Sequence, residues 1–155
     1  MIRTTGLVDR IMQVMDAAFE PTYGEAWNRR QICDALSLPH THALIVDPQG
    51  DLIEGADREA AGFVLTRSAL SEEELLLIAV MPEHRRSGLG RKLIDQLFIA
   101  ARSRGATRIY LEMRRGNPAI HLYQKAGFEP IGERPNYYRM ANGQRIDAIT
   151  FGRSV

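Results

Sequence analysis

Leu75-Leu-Leu-Ile-Ala-Val80, Met81-Pro82, then Glu83-His-Arg-Arg-Ser-Gly-Leu-Gly90-Arg-Lys92 is the stretch on which the fold turns. A short apolar run bounded by a proline turn has the length and composition of a buried strand. Beyond the turn, Leu89, Leu93, Ile94, Leu97, Phe98 and Ala101 fall on one helical face, so the spacing predicts a helix from Gly88 to Arg104. Gly105 is a suitable stop. Thr107 to Met113 then alternates, with Ile109, Leu111 and Met113 on one face and Tyr110, Glu112 and Arg114 on the other. Strand, helix and strand in this order form a βαβ unit, whose two strands must lie parallel. The turn matters chemically as well. Backbone N–H groups at a helix start, with the helix dipole behind them, make an anion site, and Gly88 and Gly90 keep Cβ atoms out of the way. Arg85, Arg86, Arg91 and Lys92 crowd the same end, where cations oppose the dipole unless an anion docks there. Eighteen of the 20 basic residues are Arg, so a solvated basic turn is the competing reading.

Working outward, Leu7 to Phe19 carries a helical stripe, broken at Pro21–Gly24, and a second helix is expected from Glu25 to Leu36. Strands are expected at Ala43–Val46, Ala61–Thr66 and Glu74–Val80, with a polar loop from Asp47 to Ala60. Pro118 to Ala126 reads as a short helix stopped by Gly127. Tyr137–Met140 and Ile146–Phe151 flank Asn142-Gly143, a hairpin signal. The expected fold class is α/β (α+β): a mixed, mostly antiparallel sheet with a central parallel strand pair and helices on both faces, and room for one more strand ahead of the first helix.

The 155 residues suit one domain, and 45% apolar and 25% charged content is ordinary for a globular chain. A net charge of +1 offers no basic surface for nucleic acid. The longest apolar run, Leu75 to Met81, is far short of the ~20 residues that span a bilayer, and Met1-Ile-Arg-Thr-Thr5 lacks a secretory core. A cytoplasmic protein with no membrane partner is expected. Cys33, the lone cysteine, reads as a small buried helix residue, and neither His84 nor His121 has metal-ligand spacing, so no metal is expected.

The anion loop has neither the P-loop nor the dinucleotide-binding glycine spacing. Arg85-x-x-Gly88-x-Gly90 after Val80-x-Pro82 instead resembles motif A of the GNAT acetyltransferase superfamily, and Ala119-Ile-x-Leu-Tyr123-x-x-x-Gly127-Phe128 resembles its motif B. Within that superfamily, Ile78-Ala-Val80, Leu111-Glu112-x-Arg114, Asn117, Asn136-Tyr-Tyr138 and Asn142-Gly143-x-x-x-Asp147-Ala148 resemble the RimI-type ribosomal-protein-alanine N-acetyltransferases. One departure stands out: a single residue separates Asn117 from Ala119-Ile120, where the family usually has two.

The resemblance implies a single GNAT-type domain over residues 1–155 that binds acetyl-CoA. Ile78, Ala79 and Val80 would line the pantetheine arm. Arg85, Arg86, Ser87, Gly88, Leu89, Gly90 and Arg91 would cradle the pyrophosphate, and Asn117 would touch the cofactor. Glu112 would be the general base and Tyr123 the general acid. A surface glutamate paired to Arg114 is the plainer reading of Glu112, a core tyrosine the plainer one of Tyr123, and Glu74 is a reserve base. Tyr110, Tyr137 and Tyr138 are candidates for the acceptor cleft, though strand aromatics are often core.

Proton arithmetic bears on the acceptor. An α-amine of pKa about 7.8 is neutral in roughly one molecule in seven at pH 7, against about one in 2,500 for lysine. An α-amine therefore asks less of Glu112 than a lysine would, and the RimI-type resemblance implies a protein N-terminus, such as that of a small-subunit ribosomal protein, as the acceptor, in direct transfer without a covalent intermediate. Two alternatives stay open: acetylation of a small amine or antibiotic, and a module that binds CoA without turnover.

Overall fold

The structure, a computed structural model, describes residues 4–19, 25–53 and 58–155. Pro21–Gly24, expected to break the first helix, and a strand ahead of that helix lie outside these residues, as do residues 54–57 of the polar loop. The chain runs α1 (Thr4–Ala18), α2 (Arg29–Leu36), β1 (Thr41–Val46), β2 (Gly62–Ala69), β3 (Glu72–Val80), α3 (Leu89–Ser103), β4 (Arg108–Arg114), α4 (Ile120–Lys125), β5 (Glu129–Arg139) and β6 (Arg145–Ser154). The strands form one sheet in the order β1-β2-β3-β4-β6-β5, and β3–β4 is its parallel pair. The expected element order and the mixed sheet are both present.

Each sheet face carries its own core. Val8, Ile11, Val14 and Met15 of α1 and Ile32 of α2 pack on Phe63, Leu65, Leu77 and Ala79. On the other face Leu89, Leu93, Ile94, Leu97, Phe98 and Ala101 of α3 meet Val64, Leu75, Ile109, Leu111, Met113 and Phe151. The helical stripe of α3 and the alternation of β4 are therefore used as the periodicity predicts.

Three expectations need correction. The second helix starts at Arg29 rather than Glu25, because Asn28 and Gln31 form a capping box. Asn28 Oδ1 accepts from Gln31 N, and Gln31 Oε1 accepts from Asn28 N, both at 2.8 Å. Cys33 is exposed, since Ile32 claims the buried face and the next residue turns about 100° away. The fifth strand begins at Glu129, eight residues before the expected Tyr137. It is an edge strand whose residues are nearly all exposed, and an edge strand with no buried face has no alternation to read.

One irregularity in β3 shapes the molecule. Thr66 pairs with Leu75 and Leu65 with Leu77, so Leu76 is an extra residue in the ladder to β2. A bulge reverses the side-chain parity beyond it. Leu75 accordingly packs in the α3-side core, while Leu77 and Ala79 pack in the α1-side core. The parallel pairing with β4 covers Glu72–Leu75 against Arg108–Leu111 and ends there. Beyond Leu75 the two strands part.

Candidate active site

The wedge between the parted strands opens into a cleft of about 1310 Å³. One wall is β3 from Leu76 to Val80, whose backbone on the β4 side has lost its ladder partner. The opposite wall is Glu112, Met113 and Arg114 of β4, and the start of α3 closes one end. Ile78, Ala79, Val80, Arg85, Arg86, Gly88, Leu89, Gly90, Arg91, Asn117, Glu112, Tyr123 and Tyr138 all line this cleft. Ser87, Tyr110 and Tyr137 do not line it. The Ser87 hydroxyl donates back to the His84 carbonyl at 2.6 Å. Tyr110 lies opposite Glu74, in the half of the sheet where β3 and β4 are still paired. Tyr137 is 48% exposed and stands edge-on to Tyr138, with ring centroids 5.2 Å apart.

At the helix start, a 3-10 turn over Pro82–His84 leads to Arg86 in the left-handed region at φ 67° and to Gly88 at φ 80°. Gly88 is the N-cap of α3. Among the described residues no side chain caps this helix and its first turn holds no acidic residue, so no carboxylate there satisfies its leading amides. A Cβ on Gly88 would point into open space, whereas one on Gly90 would press on Leu122 Cδ2 at 3.1 Å. The two glycines thus differ. Gly88 gives an approach to bare backbone, and Gly90 lets α3 sit against α4.

Three of the four cations at this end are already engaged. Arg85 donates to the carbonyl of Ala18 at the end of α1 (2.8 Å), Arg91 to that of Lys125 at the end of α4 (2.8 Å), and Lys92 to that of Gln49 (2.9 Å). Two of these acceptors are terminal helix carbonyls, which cations suit. Among the described residues Arg86 has no such partner, which leaves its charge for a bound anion. Uncapped amides, an unscreened guanidinium and an unpaired strand edge are a donor set that fits acetyl-CoA: anion receptors for a diphosphate and a β-edge for an amide-bearing arm. Below the loop, Glu59, Glu83 and His84 bring ligand atoms within 4.8 Å of one another, but both carboxylates are exposed and the grouping carries no assignment.

Across the cleft the ion pairs differ from the plainer reading of Glu112. Glu112 does not pair with Arg114. Its Oε1 lies 3.1 Å from Arg134 of β5, and its side chain is 17% exposed. Arg114 instead donates through Nε to Glu25 Oε1 at 2.9 Å. Asn117 Nδ2 reaches the other oxygen of Glu25 at 3.5 Å, while its Oδ1 accepts from Ala119 N at 2.9 Å and starts the α4 turn. Sequence reading missed both Glu25 and Arg134. Glu25 stands outside any periodic element and Arg134 on an exposed edge, so neither carried a local signal.

Tyr123 is buried in the α3-side core, with its ring edge-on to Phe128, and it also lines the cleft. Burial, with the charge of Glu25 adding to it, pushes its phenol well above the ordinary tyrosine value. Burial and then the charges of Glu112 and Glu25 raise Tyr138 to about 12. Both rings therefore carry neutral hydroxyls beside two carboxylates. Glu74, the reserve base, pairs with Arg67 at 2.7 Å and does not line the cleft.

A parted parallel strand pair, with an uncapped helix start at one end and both Glu112 and Tyr123 lining the space, makes a cleft suited to acyl transfer. The chain belongs to the acetyltransferase (GNAT) family, whose profile matches residues 8–128. It is an acetyl-CoA-dependent N-acetyltransferase. Over 118 residues it is 32% identical to the ribosomal protein bS18-alanine N-acetyltransferase of Haemophilus influenzae, a match covering 72% of this chain and 80% of that protein. It is 42% identical over 95 residues to the enzyme of the same name from Salmonella typhimurium, covering 61% of this chain and 64% of that one. The crystal structure of the ribosomal-protein-S18-alanine N-acetyltransferase from Escherichia coli superposes with a TM-score of 0.80 at 28% identity, covering 99% of this chain and 90% of the other.

Proposed function

We propose that this protein acetylates the α-amine of a protein N-terminus, that a ribosomal protein of the bS18 kind is the acceptor, and that it works in the cytoplasm as a single domain. The observation that carries the reading is the convergence of Glu112, Tyr123 and the unpaired edge of β3 on one cleft. The names of the relatives supply the acceptor class. Among the described residues no helix is long and apolar enough to cross a membrane.

In this mechanism acetyl-CoA lies with its diphosphate on the amides at Gly88–Arg91 and its pantetheine along Ile78–Val80. The acceptor enters from the side of Glu25, Tyr138 and Glu112. The neutral amine attacks the thioester carbonyl, forming the C–N bond, and one N–H proton passes to Glu112. Backbone near the Ile78–Val80 end of β3 polarises the carbonyl. Collapse breaks the C–S bond, and the thiolate leaves with a hydrogen bond from Tyr123. A thiol near 8.5 is more acidic than a phenol near 10, so outright proton release by Tyr123 is uphill by roughly 2 kcal/mol, and burial steepens that slope. Tyr123 therefore stabilises the thiolate by hydrogen bonding, and solvent supplies the final proton.

The test is acetyl-CoA turnover on peptides that differ in their N-terminal residue, run beside polyamines and aminoglycosides. Preference for Ala-initiated ribosomal peptides is expected. Turnover confined to small amines would overturn the acceptor assignment, and the absence of turnover on any amine would point to a binding module.

A further inference from the structure

We propose that Arg134 is a positioning residue for Glu112, holding one carboxylate oxygen so that the other faces the acceptor amine. The inference rests on Glu112 being the base. Arg134 lies opposite Ala148 and Glu112 opposite Thr150, so both side chains stand on one face of the sheet, diagonally across β6. Strands two places apart are separated by about 10 Å, within the combined reach of an arginine and a glutamate. On that face of β6 the residues between them are Ala148, small and fully buried, and Thr150, neither of them long enough to bar the guanidinium.

The backbone holds Arg134 in place. The β5–β6 register breaks between Arg134 and Tyr138, with Asn136 in the left-handed region at φ 56° and its N–H donating to Asp147 Oδ1 at 2.9 Å. That break brings the Tyr137 ring against Arg134, 5.1 Å from guanidinium carbon to ring centroid. The guanidinium is thus held by an aromatic face behind and a carboxylate in front, while the side chain remains 59% exposed.

Stability does not account for such a pair. An exposed arginine on a carboxylate contributes little to folding. The geometry is instead specific to the cleft. Arg114, the cation nearest in sequence on the same strand face, is committed to Glu25, and Arg134 is the residue that engages Glu112. Arg134 approaches Glu112 closest at Oε1, as an ion pair without a hydrogen bond, which leaves Oε2 for a substrate N–H.

The experiment is a double-mutant cycle on full-length protein with R134A, R134K, E112Q and R134A/E112Q, read by steady-state kinetics on an N-terminal peptide. R134A is expected to lower kcat by about five- to twenty-fold, with the KM for acetyl-CoA and the melting temperature unchanged. R134K should recover part of the loss, because ammonium keeps the charge but not the planar fork. In the E112Q background, Arg134→Ala should change kcat by less than about two-fold. An R134A enzyme with wild-type kcat, or losses that multiply in the double variant, would overturn the proposal. Wild-type turnover by E112Q would instead remove the base assignment on which it stands.

Discussion

At the scale of single residues, the chemistry depends on what surrounds ordinary groups. Glu112 is one of several glutamates on this sheet, and neighbours distinguish them. Glu73 is fully buried and held by Arg104 and Thr66, Glu74 is paired outside the cleft, and Glu112 alone of these faces the wedge. Tyr123 is a core residue whose ring also lines the cleft, so its burial is compatible with the role proposed for it. Tyr123→Phe keeps the packing and deletes only the hydroxyl. We expect kcat to fall by about ten- to a hundred-fold, with the acetyl-CoA KM within two-fold of wild type. Unchanged kcat in stopped-time assays would leave the thiolate without help from this residue.

At the scale of elements, α3 starts without a side-chain cap from the described residues, and this makes its leading turn the proposed diphosphate receptor. Arg85 and Arg91 reach away from the loop to the carbonyl ends of α1 and α4, which ties both neighbouring helices to the start of α3. Gly88 is the sensitive position. Gly88→Ala forces a Cβ into the left-handed region, at a cost of about 1–2 kcal/mol, and places a methyl in the open space beside the amides. CoA affinity measured by calorimetry should weaken by about tenfold, corresponding to 1.4 kcal/mol, and the melting temperature should drop by several degrees. Wild-type affinity in a destabilised G88A protein would mean that the diphosphate lies elsewhere.

The two sides of this element were unequally readable. Glycines, proline and a 3.6-residue stripe mark strand, turn and helix within a single stretch of chain. The different duties of Gly88 and Gly90 were not marked there, since Leu122 comes from another helix. Nor could sequence place Arg85 on α1, 67 residues away.

At the scale of the whole molecule, the paired half of β3–β4 is the anchor from which the wedge opens, and a buried ion pair sits in it. Burial alone would raise the Glu73 carboxyl. The hydrogen bonds from Arg104 (3.0 and 2.6 Å) and Thr66 (2.8 Å), with the charge of Arg104, more than reverse this and hold it below the ordinary glutamate value. A carboxyl lowered in the folded state stabilises fully above its unfolded pKa, and the benefit disappears as pH falls through the folded value. Glu73→Gln leaves Arg104, itself 26% exposed, without its anion and should cost about 3 kcal/mol near neutral pH. The melting-temperature gap between wild type and E73Q should be constant above about pH 5 and shrink below about pH 4. A gap that does not change with pH would show that packing, not charge, holds this corner.

Resemblance to the GNAT motifs singled out Glu112 and Tyr123, while the sequence by itself determined the order of elements and the parallel βαβ centre. These follow from short-range patterns, because periodicity and turn chemistry are set by residues near one another. Only the tertiary structure decided that β3 and β4 part at Leu75, that Glu25 holds Arg114 from 89 residues away, and that Arg134 holds Glu112 across β6. The first of these depends on a one-residue bulge and the last on the register of an exposed edge strand. Register is a relation between distant segments, fixed when their surfaces pack, so neither segment carries it by itself.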